Sequence, residues 1–244
     1  MKIFKFGGAS VKDAKGVKNV ANIIQKEGLK NTVVVVSAMG KMTNAFEKVV
    51  DAYFNKSKSL KEKLNYIEDF HLEIIKELFK EEDEIYTTIN TLFGELSWFL
   101  SRNSSQRYNY VYDQIICFGE LISTNIVSAY LTKLNVENNW IDVRNFIKTD
   151  SNYRDAKVDW QLTQDIINAK LDTNKLNITQ GFIAANDTEN TTTLGREGSD
   201  YTAGIFAYCL NAKSVTIWKD VEGVLNADPR VFSKTTLLEQ ISYE

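Results

Sequence analysis

Proline, histidine and cysteine are scarce in this sequence, and each scarcity narrows the chemistry. The 244 residues include one proline, one histidine and two cysteines. Cys117 and Cys209 are too few for a disulfide framework and lie outside any metal-binding spacing, so we expect both to be small core residues. His71 lies among apolar residues at helical spacing, which predicts a packing or surface role. A Ser-His-Asp or Cys-His catalytic centre and a histidine-based zinc site are therefore disfavoured.

An excess of one charge and long apolar runs are also lacking. The 29 basic and 32 acidic residues leave a net charge of −3, which gives no electrostatic footprint for nucleic acid or an anionic membrane. The sequence has no N-terminal signal pattern, and no run approaches the roughly 18 apolar residues of a membrane span. We therefore expect a small-molecule partner, neither nucleic acid nor a membrane, and a cytoplasmic location. A homo-oligomer is left open.

The first unit is predicted to be a strand, a turn and a helix. "KIFKF" has an alternating apolar pattern and is followed by two glycines. From Ser10 to about Lys26 the chain carries a stripe of apolar residues at helical spacing, namely Val11, Ala14, Val17, Ala21 and Ile24. Ser10 with Asp13 three residues later matches a capping box, so we expect the helix to begin at Ser10.

Strands and helices continue to alternate along the chain, with one long helical section. "TVVVVSA", residues 32–38, is typical of a strand buried on both faces, and a helix is predicted near residues 45–54. Residues 55–135 are expected to be helical and to lie on the substrate side. Short strands are predicted at "NWIDV", "LNITQGFIAAN" and "SVTIWKD", with a helix at about residues 200–210. This order predicts the α/β class, a three-layer α/β/α sandwich with a mainly parallel central sheet, whose ligands bind beyond the carboxyl ends of the strands.

The opening stretch "KFGGASV" combines a cation with a glycine turn. Gly7 and Gly8 would let backbone N–H groups approach a bulky anion, and the following helix would add the positive end of its dipole. Lys5 would add a full charge. The combination suits a phosphate group, although a strand-to-helix turn also uses glycine for geometry alone.

The stretch "GREGSD" places two opposite charges at the start of a predicted helix. Arg196 is suited to holding a carboxylate in a bidentate fork, and Asp200 is able to accept from an ammonium group. Together the two side chains would hold an amino acid. The alternative is an Arg–Asp pair that only fixes the loop.

The stretch "IWKDVEGVLNADPRV" runs from a predicted strand into a polar turn. Lys219 and Asp220 directly follow the strand, and Arg230 follows an Asp-Pro turn. An aspartate at a strand end is able to position Mg²⁺ or a nucleotide. The alternative is a turn that is polar because it is exposed.

Six segments together resemble one family. "KFGGASV", "SAMGKMTN", "CFGELIST", "TQGFIAAN", "TTTLGREGSDYTA" and "IWKDVEGVLNADPRV" are similar to the motifs of the aspartate kinases, a branch of the amino acid kinase superfamily. The last two segments are the most specific. The resemblance implies transfer of the γ-phosphate of ATP to the β-carboxylate of L-aspartate, giving 4-phospho-L-aspartate for lysine, threonine and methionine biosynthesis. It also implies Mg²⁺, held mainly through the nucleotide phosphates and without a metal site made of protein ligands.

The resemblance also assigns roles to individual residues. Lys5 and Asp200 correspond to catalytic residues, with Lys5 contacting the transferred phosphoryl group and Asp200 ordering the site around it. Arg196 is expected to pair with a substrate carboxylate and Glu120 to lie near the substrate ammonium group. The remaining assignments are Thr43 and Ser199 to aspartate, and Gly7, Gly8, Lys219, Asp220 and Arg230, with Lys5, to the nucleotide and its phosphates.

The resemblance covers the whole chain as one catalytic domain, residues 1–244, and implies that this domain is truncated at its C-terminal end. Relatives usually continue past "SYE" with a further helix and strand and then with small regulatory domains. Two other functions are kept as alternatives. One is a kinase of the same fold acting on another carboxylate or on a phosphate, and the other is a catalytically silent domain that binds an amino acid or a nucleotide.

Overall fold

The fold is organised around a five-stranded parallel sheet. The computed structural model describes residues 1–219, 221 and 223–242. The sheet strands are β1 (Lys2–Phe6), β2 (Thr32–Val36), β3 (Asn139–Ile141), β4 (Leu176–Gln180) and β7 (Ser214–Trp218). Their order in the sheet is β3-β4-β2-β1-β7. A separate antiparallel pair, β5 (Ile183–Ala185) and β6 (Thr191–Thr193), follows the carboxyl end of β4.

The described part of the chain has seven α-helices, which lie against the sheet or against one another. They are α1 (Ala14–Glu27), α2 (Met42–Phe54), α3 (Leu60–Leu78), α4 (Ile85–Arg102), α5 (Tyr108–Lys133), α6 (Trp160–Lys170) and α7 (Gly198–Cys209). α5 packs on β2, β3 and β4 and contacts α1, α2 and α4, whereas α7 packs on β1, β2 and β7 and contacts α6. The predicted three-layer α/β/α sandwich with a mainly parallel central sheet is confirmed.

The strand β2 explains why the sheet is covered on both faces. All five of its residues are buried, and it pairs in parallel with β1 on one side and β4 on the other. A strand in the middle of a parallel sheet has no solvent-facing side, so its sequence "TVVVV" is apolar without alternation. The prediction of a strand buried on both faces is confirmed.

The predicted start of the first helix is wrong. Residues Gly8–Val11 form a short 3₁₀ turn in which the Ser10 N–H donates to the Gly7 carbonyl oxygen at 2.9 Å. The α-helix begins after Asp13, whose carboxylate accepts from the Gly16 N–H at 2.7 Å. Because the chain needs several residues to turn back over the sheet, the capping role passes from Ser10 to Asp13. The predicted apolar stripe is buried, as expected.

Two further helices differ from the sequence prediction. α2 begins at Met42, three residues before the predicted start at residue 45. α6 was not predicted, and its N-cap is Asp159, whose carboxylate accepts from the Leu162 N–H at 3.0 Å. Its apolar stripe is weak because much of the helix faces solvent, so periodicity gave little signal.

Residues 55–135 carry three helices, of which α5 is the most deeply buried. By length and hydropathy α5 is the one helix in the described ranges that could span a membrane, although the sequence contains no unbroken run of about 18 apolar residues there. However, 72% of its most apolar window is buried inside the fold. Its apolar character therefore matches its position as the central helix of one layer.

The two cysteines and the single histidine are buried in the core. Cys117 and Cys209 are both buried free thiols. His71 is fully buried on α3, and its Nδ1 donates to the Ile67 carbonyl oxygen at 2.7 Å. Burial lowers the pKa of His71 to about 4, so the ring is neutral at neutral pH. A packing role for this histidine is confirmed.

Gly8 is fixed by contact between two loops. A Cβ on Gly8 would lie 2.6 Å from the Ala38 carbonyl oxygen and 2.7 Å from that of Gly40. The Gly40 N–H in turn donates to the Gly8 carbonyl oxygen at 2.9 Å. The loops that follow β1 and β2 therefore pack backbone against backbone, and the alternative interpretation, glycine for geometry, applies to Gly8. A Cβ on Gly7 would approach only the Lys5 Nζ, at 3.4 Å.

We predict that Gly8→Ala lowers the free energy of unfolding by about 1–3 kcal/mol, because the added methyl group meets backbone atoms that cannot move aside easily. Gly7→Ala is the matched control and should change stability by less than about 0.5 kcal/mol. Urea denaturation of both variants measures the difference. Equal destabilisation would show that the contact between the two loops does not restrict Gly8.

Candidate active site

A cleft of about 220 Å³ opens at the carboxyl edge of the parallel sheet. Five of the residues assigned from the sequence line it together: Lys5, Thr43, Glu120, Ser199 and Asp200. They come from β1, α2, α5 and α7, so four separate elements meet at this point. Larger grooves exist, including one of about 490 Å³ lined by residues such as Lys30, Asn135 and Lys175. That groove contains none of the residues assigned from the sequence.

Lys5 and Asp200 form an ion pair inside the cleft. The Lys5 Nζ lies 2.7 Å from the Asp200 Oδ1, and the two side chains are 10% and 24% exposed. Lys5 points from β1 toward α7, while its neighbours Phe4 and Phe6 face the opposite side, where they pack against Trp218. The carboxylate therefore holds a mostly buried ammonium group in one position, close to the glycine turn.

Glu120 presents a carboxylate oxygen that the fold leaves without a partner. Its side chain is 2% exposed, and its Oε1 accepts from the Ala38 N–H at 3.3 Å. Its Oε2 is buried and has no hydrogen-bond partner among the described residues. Burial raises the pKa of Glu120 to about 8, and the hydrogen bond from Ala38 offsets only part of this. A cationic ligand in the cleft would supply the missing partner.

The wall opposite Glu120 is the amino terminus of α7, which packs tightly on the loop after β4. A Cβ on Gly181 would lie 2.5 Å from the Ser199 side chain, and one on Gly198 would lie 2.5 Å from the Phe182 ring. The Thr202 hydroxyl accepts from the Phe182 N–H at 2.9 Å and donates to the Gly198 carbonyl oxygen at 2.9 Å. This packing fixes the helix terminus at the cleft, where its dipole favours an anion.

Arg196 lies beside the cleft and not in it. The residues on either side of it, Gly195 and Glu197, line the cleft, whereas the Arg196 side chain is exposed. Gly195 and Glu197 have positive φ angles of 77° and 56°, so the loop turns sharply at this point. The pairing of Arg196 with a substrate carboxylate stays a prediction.

The residues assigned to the nucleotide do not meet in a single cavity. Lys219 lines a different groove of about 390 Å³ between α1 and the end of β7, together with Ala9 and Trp218. Arg230 is exposed, and its guanidinium lies 2.7 Å from the Asp228 carboxylate. Asp220 lies outside the described residues. The nucleotide assignments therefore stay predictions.

Five cleft residues were not assigned from the sequence. Ser37 and Phe182 directly or closely follow the buried strands β2 and β4, and Gly195, Glu197 and Gly198 lie inside the "GREGSD" stretch. The rule that ligands bind beyond the carboxyl ends of parallel strands was a signal for Ser37 and Phe182. Glu197 had no such signal, because its place on the cleft depends on the turn that the loop makes.

The fold is of the α/β class, and residues 1–244 match the amino acid kinase family. The chain belongs to that family. It is 31% identical to lysine-sensitive aspartokinase 3 of Escherichia coli over 99% of this chain and 54% of that protein. It is also 31% identical to a bifunctional aspartokinase/homoserine dehydrogenase of Buchnera aphidicola over 100% of this chain and 31% of that protein.

Solved structures give the same result. The chain superimposes with a TM-score of 0.89 and 31% identity on E. coli aspartokinase III in complex with lysine and aspartate, covering 99% of this chain and 54% of that one. For the same enzyme in complex with aspartate and ADP the TM-score is 0.89 at 30% identity, covering 98% of this chain and 53% of that one. The chain spans about half of these proteins or less.

We predict that Glu120→Gln makes the protein more stable than the original chain as the pH rises. The folded-state pKa of Glu120 is about 8, above its ordinary value of 4.5, so its protonated form favours the native state. This contribution is fully present below pH 4.5 and is lost as the pH rises through 8. The stability difference should grow to a few kcal/mol over that range.

Urea denaturation at several pH values between 4.5 and 8.5 measures this difference. Glu197→Gln is the matched control, since it makes the same change in an exposed side chain at the same cleft. Parallel pH curves for Glu120→Gln and the original chain would mean that Glu120 is not held in a poorly solvated position.

Proposed function

We propose that the chain is the catalytic region of an aspartate kinase, which transfers the γ-phosphate of MgATP to the β-carboxylate of L-aspartate and forms 4-phospho-L-aspartate. The observation that carries the proposal is the unpartnered Oε2 of Glu120 in the same cleft as the Lys5–Asp200 ion pair. The ammonium group of an amino acid substrate would supply a partner for Glu120, and the phosphoryl group that is transferred to this substrate would need the cation Lys5. The similarity to proteins whose structures hold aspartate, lysine or ADP supports this choice.

The reaction needs cations more than a base. The β-carboxylate of aspartate is already ionised at neutral pH, so it is a nucleophile without proton removal. Its approach to the γ-phosphate brings like charges together, and phosphoryl transfer depends mainly on positioning and on neutralising this charge. Lys5 is the buried cation in the cleft, and Asp200 keeps its ammonium group in place. Because the nucleophile needs no base, the reaction does not require a histidine in the cleft, and the single histidine of this chain is buried in the core.

Recognition of aspartate uses both walls of the cleft. Glu120 accepts from the ammonium group of the substrate, and Thr43 and Ser199 offer hydroxyl groups on either side. Arg196, one residue from the cleft lining, pairs with a substrate carboxylate, which is consistent with its fork of donors. The α7 terminus favours the same anionic groups.

The nucleotide is proposed to bind at the turn of Gly7 and Gly8 and along the segment of Lys219, Asp220 and Arg230. Groups of three or more His, Cys, Asp or Glu side chains that could hold a metal ion do not occur in the described ranges. We propose, from the family resemblance, that Mg²⁺ is held mainly by phosphate oxygens, where it would neutralise charge on the triphosphate. We place the reaction in the cytoplasm, where Cys117 and Cys209 would stay reduced.

The test of the proposal is to trap the acyl phosphate. Incubation of the chain with ATP, Mg²⁺, aspartate and hydroxylamine should yield aspartyl hydroxamate. Glutamate, acetylglutamate and UMP in place of aspartate test the other kinases of this fold. A product with one of these and none with aspartate would reassign the substrate, and binding of aspartate without any product would indicate a silent binding domain.

We predict that Lys5→Ala lowers kcat by about 100-fold or more and changes the affinity for aspartate much less, because a cation aimed at the moving phosphoryl group acts mainly in the transition state. Steady-state kinetics and calorimetry measure the two effects. Lys2→Ala is the matched control, since Lys2 lies on the same strand but is exposed and donates to the Glu27 carbonyl oxygen. Near-normal turnover of a folded Lys5→Ala protein would remove Lys5 from the catalytic role.

A further inference from the structure

We infer that Asp113 is a positioning residue for substrate binding, which fixes the segment 193–198 and thereby sets where Arg196 stands at the mouth of the cleft. The inference rests on the proposed function, because it assumes that Arg196 meets a substrate carboxylate. Asp113 itself does not line the cleft. It lies on α5, seven residues before Glu120.

Asp113 is a buried carboxylate that accepts hydrogen bonds from two segments, the end of β6 and the loop at Arg154. It is 0% exposed. Its Oδ2 accepts from the Arg154 N–H at 3.0 Å and from the Thr193 N–H at 2.9 Å, and its Oδ1 accepts from the Thr193 hydroxyl at 2.9 Å. A charged group in the core is costly unless it is hydrogen-bonded, so the three donors and the carboxylate depend on one another.

The two segments that donate hydrogen bonds to Asp113, the end of β6 and the loop at Arg154, meet at Gly195. The Thr193 carbonyl oxygen accepts from the Ala156 N–H at 3.0 Å. A Cβ on Gly195 would lie 2.7 Å from the Asp155 Oδ1 and 3.5 Å from the Arg154 carbonyl oxygen. Residue 195 therefore rests directly on residues 154 and 155, and Arg196 is the next residue along the chain. A shift of either segment would therefore also shift the backbone that carries Arg196.

The backbone at this point is strained and depends on its surroundings. Arg154 and Glu197 have positive φ angles of 73° and 56° although neither is glycine. Such residues keep this conformation only where neighbouring contacts hold them. For Arg154 these contacts are the hydrogen bond from its N–H to Asp113 and the position of its guanidinium, 4.3 Å from the centre of the Tyr112 ring.

The charge of Asp113 provides a second way to test its role. Burial raises the pKa of Asp113 to about 6, while the hydrogen bonds from Arg154 and Thr193 lower it in part. The titratable and charged groups that face Asp113 are Arg154, Tyr112 and Tyr153. A protonated carboxyl group is a poorer acceptor for the three donors, so the segment loosens and aspartate affinity falls as the pH drops through about 6.

The experiment compares three variants. Asp113→Asn removes the charge, and Thr193→Val removes one of the three hydrogen bonds and keeps the shape. Thr192→Val is the matched control, because Thr192 is the adjacent residue of β6, is fully buried, and shares a hydrogen bond with Thr149 at 2.7 Å instead of contacting Asp113.

We expect Asp113→Asn to raise the KM for aspartate by about tenfold and Thr193→Val by about threefold, in line with the loss of hydrogen bonds to a charged group. kcat and the KM for ATP should change little, and Thr192→Val should leave all three unchanged. In an Arg196→Lys background the effect of Asp113→Asn on KM should shrink, because both changes act on the same contact. The fall in aspartate affinity below pH 6 should be absent in Asp113→Asn.

Three kinetic results would overturn the inference. They are an unchanged KM in both Asp113→Asn and Thr193→Val, equal effects of Thr192→Val and Thr193→Val, or full additivity of Asp113→Asn with Arg196→Lys. If Asp113→Asn does not fold, Thr193→Val and its control decide. Hydrogen exchange of residues 193–198 tests the positioning role of Asp113 separately from the proposed binding of aspartate. Faster exchange in Thr193→Val than in Thr192→Val supports the positioning role even if the original chain does not bind aspartate, whereas equal exchange in the two overturns it.

Discussion

All five strands of the central sheet run in the same direction, so their carboxyl ends lie along one edge. This constraint brings together residues that are far apart in the chain. Lys5 near the end of β1, Ser37 after β2 and Phe182 after β4 reach one cleft because their strands are adjacent in the order β4-β2-β1. α7 packs across β1, β2 and β7, and it carries Asp200 to within 2.7 Å of Lys5.

Lys5 and Glu120 are both buried ionisable groups in the cleft, but they differ in whether the fold supplies their partners. Lys5 has its counter-charge in Asp200, so its burial is compensated within the fold. Glu120 has one hydrogen bond from Ala38 and one oxygen without a partner in the described residues, so its burial is not compensated. A group like Glu120 destabilises the free protein, which is the usual sign that a ligand completes the interaction.

Two buried carboxylates on the same helix illustrate how surroundings assign a role. Asp113 and Glu120 are seven residues apart on α5, which corresponds to two turns, so both face the same side of the helix. Asp113 accepts three hydrogen bonds from Thr193 and Arg154, whereas Glu120 accepts one. Both oxygens of the first carboxylate therefore have partners within the fold, and the second keeps one oxygen without a partner among the described residues.

The sequence by itself determined the α/β class, the buried strand "TVVVV", the apolar stripe of α1 and the assignment of Lys5, Glu120 and Asp200 to one site. These features depend on local periodicity or on motifs that are complete within a few residues. Only the tertiary structure decided that Asp13 and not Ser10 caps α1, that Gly8 is required by Gly40, and that Arg196 stands outside the cleft. It also decided the hydrogen bonds of Glu120 and Asp113, whose partners lie 82 residues away at Ala38 and 80 residues away at Thr193. A pattern in the sequence indicates which side of a helix is buried, but the hydrogen bonds that a buried group receives depend on the segments that pack against it.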